Sequence, residues 1–275
     1  MDKLGKITVM VNGFGDMAKN VMRHILPDER FELMPYALFG PSPQKHVVPF
    51  EEMEIVLFEP HQKEEILSLK DDYGDFITVD FTHPTAVNEN AEFYCKNRLP
   101  FVMGTTGGDR EHLTQTVLGS KIVAVIAPNM AKQIVGFQAM MEYAADTFPD
   151  LFKGYLLKIR ESHQKSKADT SGTAKAMVGY FNKLGIPFPE NEIIKERDLS
   201  IQKNMGVPEK YLSGHGWHTY TLISKDRTVE FAFTHNVNGR DIYAQGTIDA
   251  ILFLDKKIEE GVKGKIFTMI DVLKG

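Results

Sequence analysis

Apolar residues in this chain fall into short runs, and the runs alternate with segments whose apolar positions recur every three or four residues. Lys6 to Val11 is a β-rich run. It passes into Asn12-Gly13-Phe14-Gly15-Asp16-Met17-Ala18 and a helical segment through Ile25 that Pro27 closes. Further strands are predicted over Phe31 to Phe39, Glu54 to Leu57 and Ile77 to Phe81, the last running through Asp80-Phe81-Thr82-His83-Pro84. A helix from Thr85 to Asn97 leads to the strand Phe101-Val102-Met103, which ends in Gly104-Thr105-Thr106-Gly107-Gly108. Another helix precedes the strand Ile122 to Ala127, which ends in Pro128-Asn129. Such alternation implies βαβ units on a parallel sheet, with the polar turns after each strand lying on the carboxyl edge where ligands bind. The glutamate-bearing stretch Phe50 to Phe58 reads as a solvated element.

From Ala131 the pattern changes. A long amphipathic helix through Phe148 is followed by a strand, Tyr155 to Ser162, then by a polar loop and a helix from Gly172 to Leu184. Gly216 to Ser224, Thr228 to Asn236 and Asp241 to Gln245 alternate as antiparallel strands do, and a final helix covers Thr247 to Glu260. The fold class is α/β: a nucleotide-binding half, then an α+β half with a mixed or antiparallel sheet.

Composition narrows the function. Lys and Arg number 32 and Asp and Glu 37, a net charge of −5 with no long block of one sign, which argues against nucleic-acid binding. Cys95 is the single cysteine of the 275 residues, so no disulfide framework and no cysteine metal cluster exists, and Cys95 itself reads as a small apolar filler. The longest apolar stretch, Ile122 to Ala127, is far short of the roughly 20 residues that span a bilayer. No signal or transit sequence is visible, so the expected compartment is the cytoplasm, or the plastid stroma if a transit peptide has been removed.

Gly13-Phe14-Gly15-Asp16-Met17-Ala18 fits the dinucleotide fingerprint between strand and helix. Gly13 permits the tight turn, Gly15 lets the backbone approach a pyrophosphate, and Ala18 keeps helix and sheet close. Asp16 places a negative charge near that pyrophosphate. The second strand ends in Ala37-Leu38-Phe39-Gly40-Pro41-Ser42, without the acid that grips the ribose of NAD, and Ser42, Gln44 and Lys45 follow. NADPH is therefore expected over NADH.

The richest segment is Glu161-Ser162-His163-Gln164-Lys165-Ser166-Lys167-Ala168-Asp169-Thr170-Ser171-Gly172-Thr173-Ala174-Lys175. Its chemistry fits a histidine proton donor among ammonium groups, and equally a solvated loop before a capped helix. Together with Asp80-Phe81-Thr82-x-Pro84, Gly104-Thr105-Thr106-Gly107, Ala127-Pro128-Asn129-Met130, Ser213-Gly214-His215 and His235-Asn236, this segment resembles the signature of the dihydrodipicolinate reductase family, in its plant-type branch. Gln164 stands where many bacterial members carry a second histidine.

The resemblance implies NAD(P)H-dependent reduction of a cyclic dicarboxylate, 4-hydroxy-tetrahydrodipicolinate, in lysine biosynthesis. It implies His163 as proton donor and Lys167 as its catalytic partner, with Gln164, Ser171, Gly172 and Thr173 binding substrate. Asn12, Gly13, Phe14, Gly15, Asp16, Met17, Gly104, Thr105, Thr106, Ala127, Pro128 and Asn129 would bind coenzyme, with no metal. It further implies a coenzyme domain over residues 1–130 and 246–275, and a substrate-binding and oligomerisation domain over 131–245 that assembles a homodimer or homotetramer. His215 and His218 lie close together without an evident carboxylate or cysteine cluster, so packing or subunit contacts are expected of them. The alternatives are a related reductase of another cyclic imine or dicarboxylate, and a non-catalytic NADPH-binding regulator of the same fold.

Overall fold

Val9, Met10 and Val11 are all buried, so the strand β1 (Ile7–Asn12) has no solvent face and belongs inside a sheet covered on both sides. The computed structural model describes residues 5–40 and 44–275; Ser42 lies outside the described residues. The chain forms two compact units, one made of the residues up to Lys132 together with Asp241–Gly275, the other of Gln133–Arg240.

In the first unit β1 leads through α1 (Asp16–Ile25) to β2 (Phe31–Leu33), β3 (Tyr36–Leu38), β4 (Val47–Phe50) and β5 (Met53–Phe58). Then come α2 (Glu65–Tyr73), β6 (Ile77–Asp80), α3 (Val87–Lys96), β7 (Phe101–Met103), α4 (Arg110–Leu118) and β8 (Val123–Ile126). The predicted strand Phe31 to Phe39 is broken in two. Pro35 has no N–H to continue a ladder, and β2 and β3 join different sheets. Phe50 to Phe58 is also not a solvated element. Phe50, Ile55, Leu57 and Phe58 are buried, and the glutamates occupy the β4–β5 hairpin turn and one face of β5. Cys95 lies half-buried on α3 against the core cluster around Met10, Tyr94 and Phe101, and burial pushes its thiol pKa up.

The second unit runs from α5 (Lys132–Thr147), whose first residue belongs to the first unit, through β9 (Leu156–His163), α6 (Gly172–Lys183) and β10 (Ile194–Glu196). It continues with α7 (Leu199–Asn204), β11 (His215–Ile223) and β12 (Glu230–Asn238). Its sheet has the order β10-β9-β11-β12, parallel at the first pair and antiparallel at the others. Along β9, Leu157, Ile159 and Glu161 are buried while Lys158 and Arg160 face out, and Ile159, Tyr220 and Phe181 share one core.

The chain then returns to the first unit with α8 (Asp241–Glu259), β13 (Lys265–Phe267) and α9 (Met269–Lys274). Asp241 to Gln245 is the first turn of α8, not a strand: Ala244, Ile248, Ile251 and Leu254 are buried at helical spacing. β13 adds itself to β8, completing a six-stranded sheet of order β13-β8-β7-β6-β1-β2 that is parallel throughout. Among the described residues no helix is long and apolar enough to cross a membrane.

Candidate active site

In the first unit β1, β6, β7 and β8 lie side by side, so the turns that follow them line one carboxyl edge. These are Gly13 to Gly15, Phe81 to His83, Gly104 to Gly107 and Ala127 to Asn129. Gly13 has a φ of +93°, and a Cβ there would lie 2.3 Å from the carbonyl oxygen of Phe81, so only glycine fits the turn. Nothing lies within 4 Å of where a Cβ of Gly15 would be, and Gly15, the N-cap of α1, has no side chain of its own to cap the first N–H groups. An open glycine face at a helix N-terminus fits a pyrophosphate.

Gly13, Phe14 and Gly15 line a cleft of about 620 Å³ with Leu38, Phe39, Gly40, Lys63, Thr82 and Glu89. The end of β3 offers Leu38 and Phe39 and no acid. The carboxylate lining this cleft, Glu89, is ion-paired with Lys63 at 2.6 Å. Asp16 and Met17 follow in the first turn of α1, and Gln44 and Lys45 are exposed.

Behind this edge sits a buried carboxylate that the sequence did not single out for a role. Asp80 accepts hydrogen bonds from Thr82 N and Oγ1 and Thr105 Oγ1 on one oxygen, and from Asn90 Nδ2 and Tyr94 Oη on the other. Burial and this carboxylate push the Tyr94 hydroxyl well above its usual range. Asn12 donates to Tyr94 at 2.9 Å and accepts from Leu38 N at 2.9 Å, so its side chain faces this network and the coenzyme edge has only its backbone. Thr105 is likewise committed to Asp80, whereas Thr106 and Pro128 are exposed. Asn129 accepts from Ala131 N at 2.9 Å.

In the second unit, β9 carries Glu161 and His163 on its inner face, and β11 sets His218 opposite Glu161 and Gly216 opposite His163. Gly216 makes room: a Cβ there would come within 3.1 Å of the His163 ring. Glu161 is fully buried. One oxygen meets Arg197 Nη2 at 2.5 Å and the other accepts from Ser171 N at 2.9 Å. Arg197 also donates to the carbonyls of Lys167 at 2.7 Å and Asp169 at 3.3 Å. This clamp fixes the loop between β9 and α6. Sequence inspection missed Arg197, which carries no motif signal in Lys195-Glu196-Arg197-Asp198.

The clamp brings together His163, Gln164, Lys167 and the start of α6. Gln164 is half-buried, and its carbonyl accepts from Lys167 N at 3.0 Å. Ser171 is the N-cap of α6, its hydroxyl making no cap bond, so the first-turn N–H groups of Gly172 and Thr173 keep their capacity for an anion. Lys167 Nζ is paired with both Asp169 oxygens at 2.9 Å, which holds the Asp169 carboxyl below its usual range.

His163 donates from Nδ1 to the His215 carbonyl at 3.1 Å and meets His218 Nε2 with its own Nε2 at 3.0 Å. Burial pushes its pKa down to about 4; Glu161 opposes this, and Arg197 and Lys167 add to it. His218 is held well below the ordinary histidine range by its burial and by the neighbouring His235. His215 is bonded to Ser162 Oγ at 2.8 Å and to the Tyr211 carbonyl at 3.1 Å. A carboxylate does accompany His218 after all, since ligand-type atoms of Glu161, His163 and His218 lie within 4.8 Å of one another. Each of those side chains is already satisfied by a partner in the protein, Glu161 by Arg197 and Ser171, the two histidines by each other.

Residues 7–130 match the family model for dihydrodipicolinate reductase, N-terminus, and residues 134–273 match that for its C-terminus. The probable 4-hydroxy-tetrahydrodipicolinate reductase 1, chloroplastic, of Oryza sativa subsp. japonica is 54% identical over 80% of this chain, which spans 65% of that protein's length. The 4-hydroxy-tetrahydrodipicolinate reductase 2, chloroplastic, of Arabidopsis thaliana is 47% identical over 98% of this chain and 77% of its own. Among solved structures, a dipicolinate-bound dihydrodipicolinate reductase from Paenisporosarcina sp. TG-14 shares the fold with a TM-score of 0.66, 20% identity and coverage of 96% of this chain and 98% of its own.

Proposed function

The chain belongs to the dihydrodipicolinate reductase family, and from that premise we propose that it reduces 4-hydroxy-tetrahydrodipicolinate with NAD(P)H, using His163 as the proton donor. It is an oxidoreductase of diaminopimelate and lysine biosynthesis. The observation that carries the residue roles is the Glu161–Arg197 clamp, which gathers a histidine, a lysine and a bare helix N-terminus on one short stretch of chain.

Gly13 to Gly15 and the N-terminus of α1 fit the coenzyme pyrophosphate, and Gly104 to Thr106 with Ala127 to Asn129 take the nicotinamide side of the edge. The reduced nicotinamide, when bound, supplies the hydride that goes to C4 of the substrate ring as water is lost. NADPH is the preferred coenzyme, because no acid stands at the end of β3 to repel a 2′-phosphate and Lys63 reaches the cleft. Lys167 exchanges Asp169 for one substrate carboxylate. Ser171 Oγ and the N–H groups of Gly172 and Thr173 hold the other, and Gln164 orients the ring through its amide. His163 then gives a proton to C3; two added carboxylate charges favour its cationic form in the complex.

The plastid stroma is the compartment in keeping with the chloroplastic relatives. Assembly into a homodimer or homotetramer is expected on the outer face of the second unit's sheet, where Trp217 and Thr219 stand among Lys158 and Arg160.

A steady-state assay on freshly generated substrate with both coenzymes tests this reading. His163→Gln is expected to lower kcat by about 10²–10⁴-fold with a thermal transition within a few degrees of wild type. Unimpaired turnover by that variant overturns the role of His163, and equal kcat/KM for NADPH and NADH overturns the coenzyme preference.

A further inference from the structure

On the inner face of the second unit's sheet, four ring side chains from three adjacent strands are joined end to end, and each bond fixes the direction of the next. The His215 carbonyl can only accept, so His163 carries its hydrogen on Nδ1. In the neutral ring its Nε2 is then bare, and the hydrogen in the 3.0 Å contact between the two Nε2 atoms belongs to His218. That leaves His218 Nδ1 bare, accepting from the Tyr220 hydroxyl at 3.0 Å. The Tyr220 oxygen in turn meets His235 Nε2 at 3.4 Å and accepts from it. The line ends at His235 Nδ1, a buried atom with no hydrogen-bond partner. The assigned direction places a lone pair there and not a stranded N–H, the less costly of the two orphans.

We propose that His218, held by Tyr220 and His235, is a positioning residue that caps Nε2 of His163 and keeps the proton donor neutral until an anionic substrate lies beside it. Resting on His163 as proton donor, this adds a control on when it is loaded. A hydrogen bond to the lone pair of the neutral ring disfavours its charged form. Protonating His163 in place would set two N–H groups face to face at the 3.0 Å contact.

The surrounding groups leave the cap in command. Glu161 of β9 favours the charged form of His163, but both its oxygens are already engaged. Arg197 beyond β10 and Lys167 of the loop oppose a further positive charge, and His215 of β11 meets His163 through its carbonyl. His235 of β12 bears on His218, while α5 and α6 bring Phe137 and Phe181 against His235 and Tyr220. Loading adds one solvent proton to His163 Nε2 and breaks its contact with His218. Passing that proton to C3 of the substrate restores the bare nitrogen and the contact.

Ring ¹⁵N and ¹H NMR titration of the 275-residue protein without substrate tests the cap, beside the pH profile of kcat/KM. In wild type His163 is expected as the Nδ1–H tautomer, titrating well below 6.5. Tyr220→Phe removes the donor that orients His218. His163 is then expected to titrate about half to one pH unit higher, and the alkaline limb of kcat/KM to move up with it. His218→Gln, whose amide can both accept from Tyr220 and donate to His163, is expected to hold the wild-type values; His218→Phe is expected to follow Tyr220→Phe.

An Nε2–H tautomer in wild type, or a His163 titration unmoved by Tyr220→Phe and His218→Phe, overturns the proposal. Full activity of His163→Gln would instead overturn the proton-donor reading, and leaves the NMR result to decide the cap alone.

Discussion

Lys167 and Asp169 show how a short-range pair is set up to be broken. Both Asp169 oxygens lie 2.9 Å from the ammonium, yet Asp169 is largely exposed, so the pair is held weakly. In the role proposed for Lys167, a substrate carboxylate takes its place. Asp169→Asn is therefore expected to lower KM by about two- to fivefold with kcat unchanged, as exposed ion pairs of this kind are worth at most ~1 kcal/mol. An unchanged or raised KM in steady-state kinetics counts against Lys167 as a carboxylate ligand. At this scale the sequence was legible wherever chemistry is contiguous: His163, Lys167 and Ser171 to Thr173 stand within one stretch. It was illegible where partners are distant. Arg197 meets Glu161 from 36 residues away, and no local pattern marks a buried ion pair that tertiary packing alone creates.

At the scale of elements, the first unit's binding edge depends on a carboxylate that never reaches it. Asp80 ends β6, Asn12 ends β1, Thr105 follows β7, and the donors of Thr82, Asn90, Tyr94 and Thr105 converge on Asp80. Asp80→Asn turns one acceptor oxygen into a donor facing other donors. A loss of about 3 kcal/mol of stability is expected, with weaker coenzyme binding as the turns after β6 and β7 shift. Calorimetry and fluorescence titration with NADPH read both; a variant with wild-type Tm and affinity would contradict this account. The misread elements have physical causes as well. Ile242 and Tyr243 give Asp241 to Gln245 a strand-like texture, but its apolar spacing continues the period of Ala244, Ile248 and Ile251, which a five-residue window is too short to reveal. β10 and β13 are short strands whose identity comes from the strand beside them, Ile194 to Glu196 on β9 and Lys265 to Phe267 on β8.

Across the whole molecule, the βαβ texture of the first half and the change near Ala131 were visible as changes of hydrophobic period. The net charge of −5 says nothing of the local cluster at Lys165 and Lys167, which a sum over the chain hides. Nor does the sequence show that His163 and His235 are held near about 4 by burial, with His218 also well depressed. Their unfolded forms take up protons near 6.5, so between there and about 4 the unfolded chain binds more protons than the folded one. Stability is thus fully present above pH ~6.5 and falls as the pH drops toward ~4. Calorimetric Tm values across this range should decline steadily below pH ~6.5; a flat Tm to pH ~4 would show that these rings are not buried as neutral bases.

The attachment of β13 to β8 also orders events in time. During synthesis β8 emerges with one edge unpaired, and the strand that covers it lies about 140 residues later, beyond every residue of the second unit. At ~5–20 residues per second that edge stays open for roughly seven to thirty seconds, and β9 to β12 all find their partners before it closes. The nascent first unit, not the finished enzyme, is therefore the form most exposed to edge-to-edge aggregation.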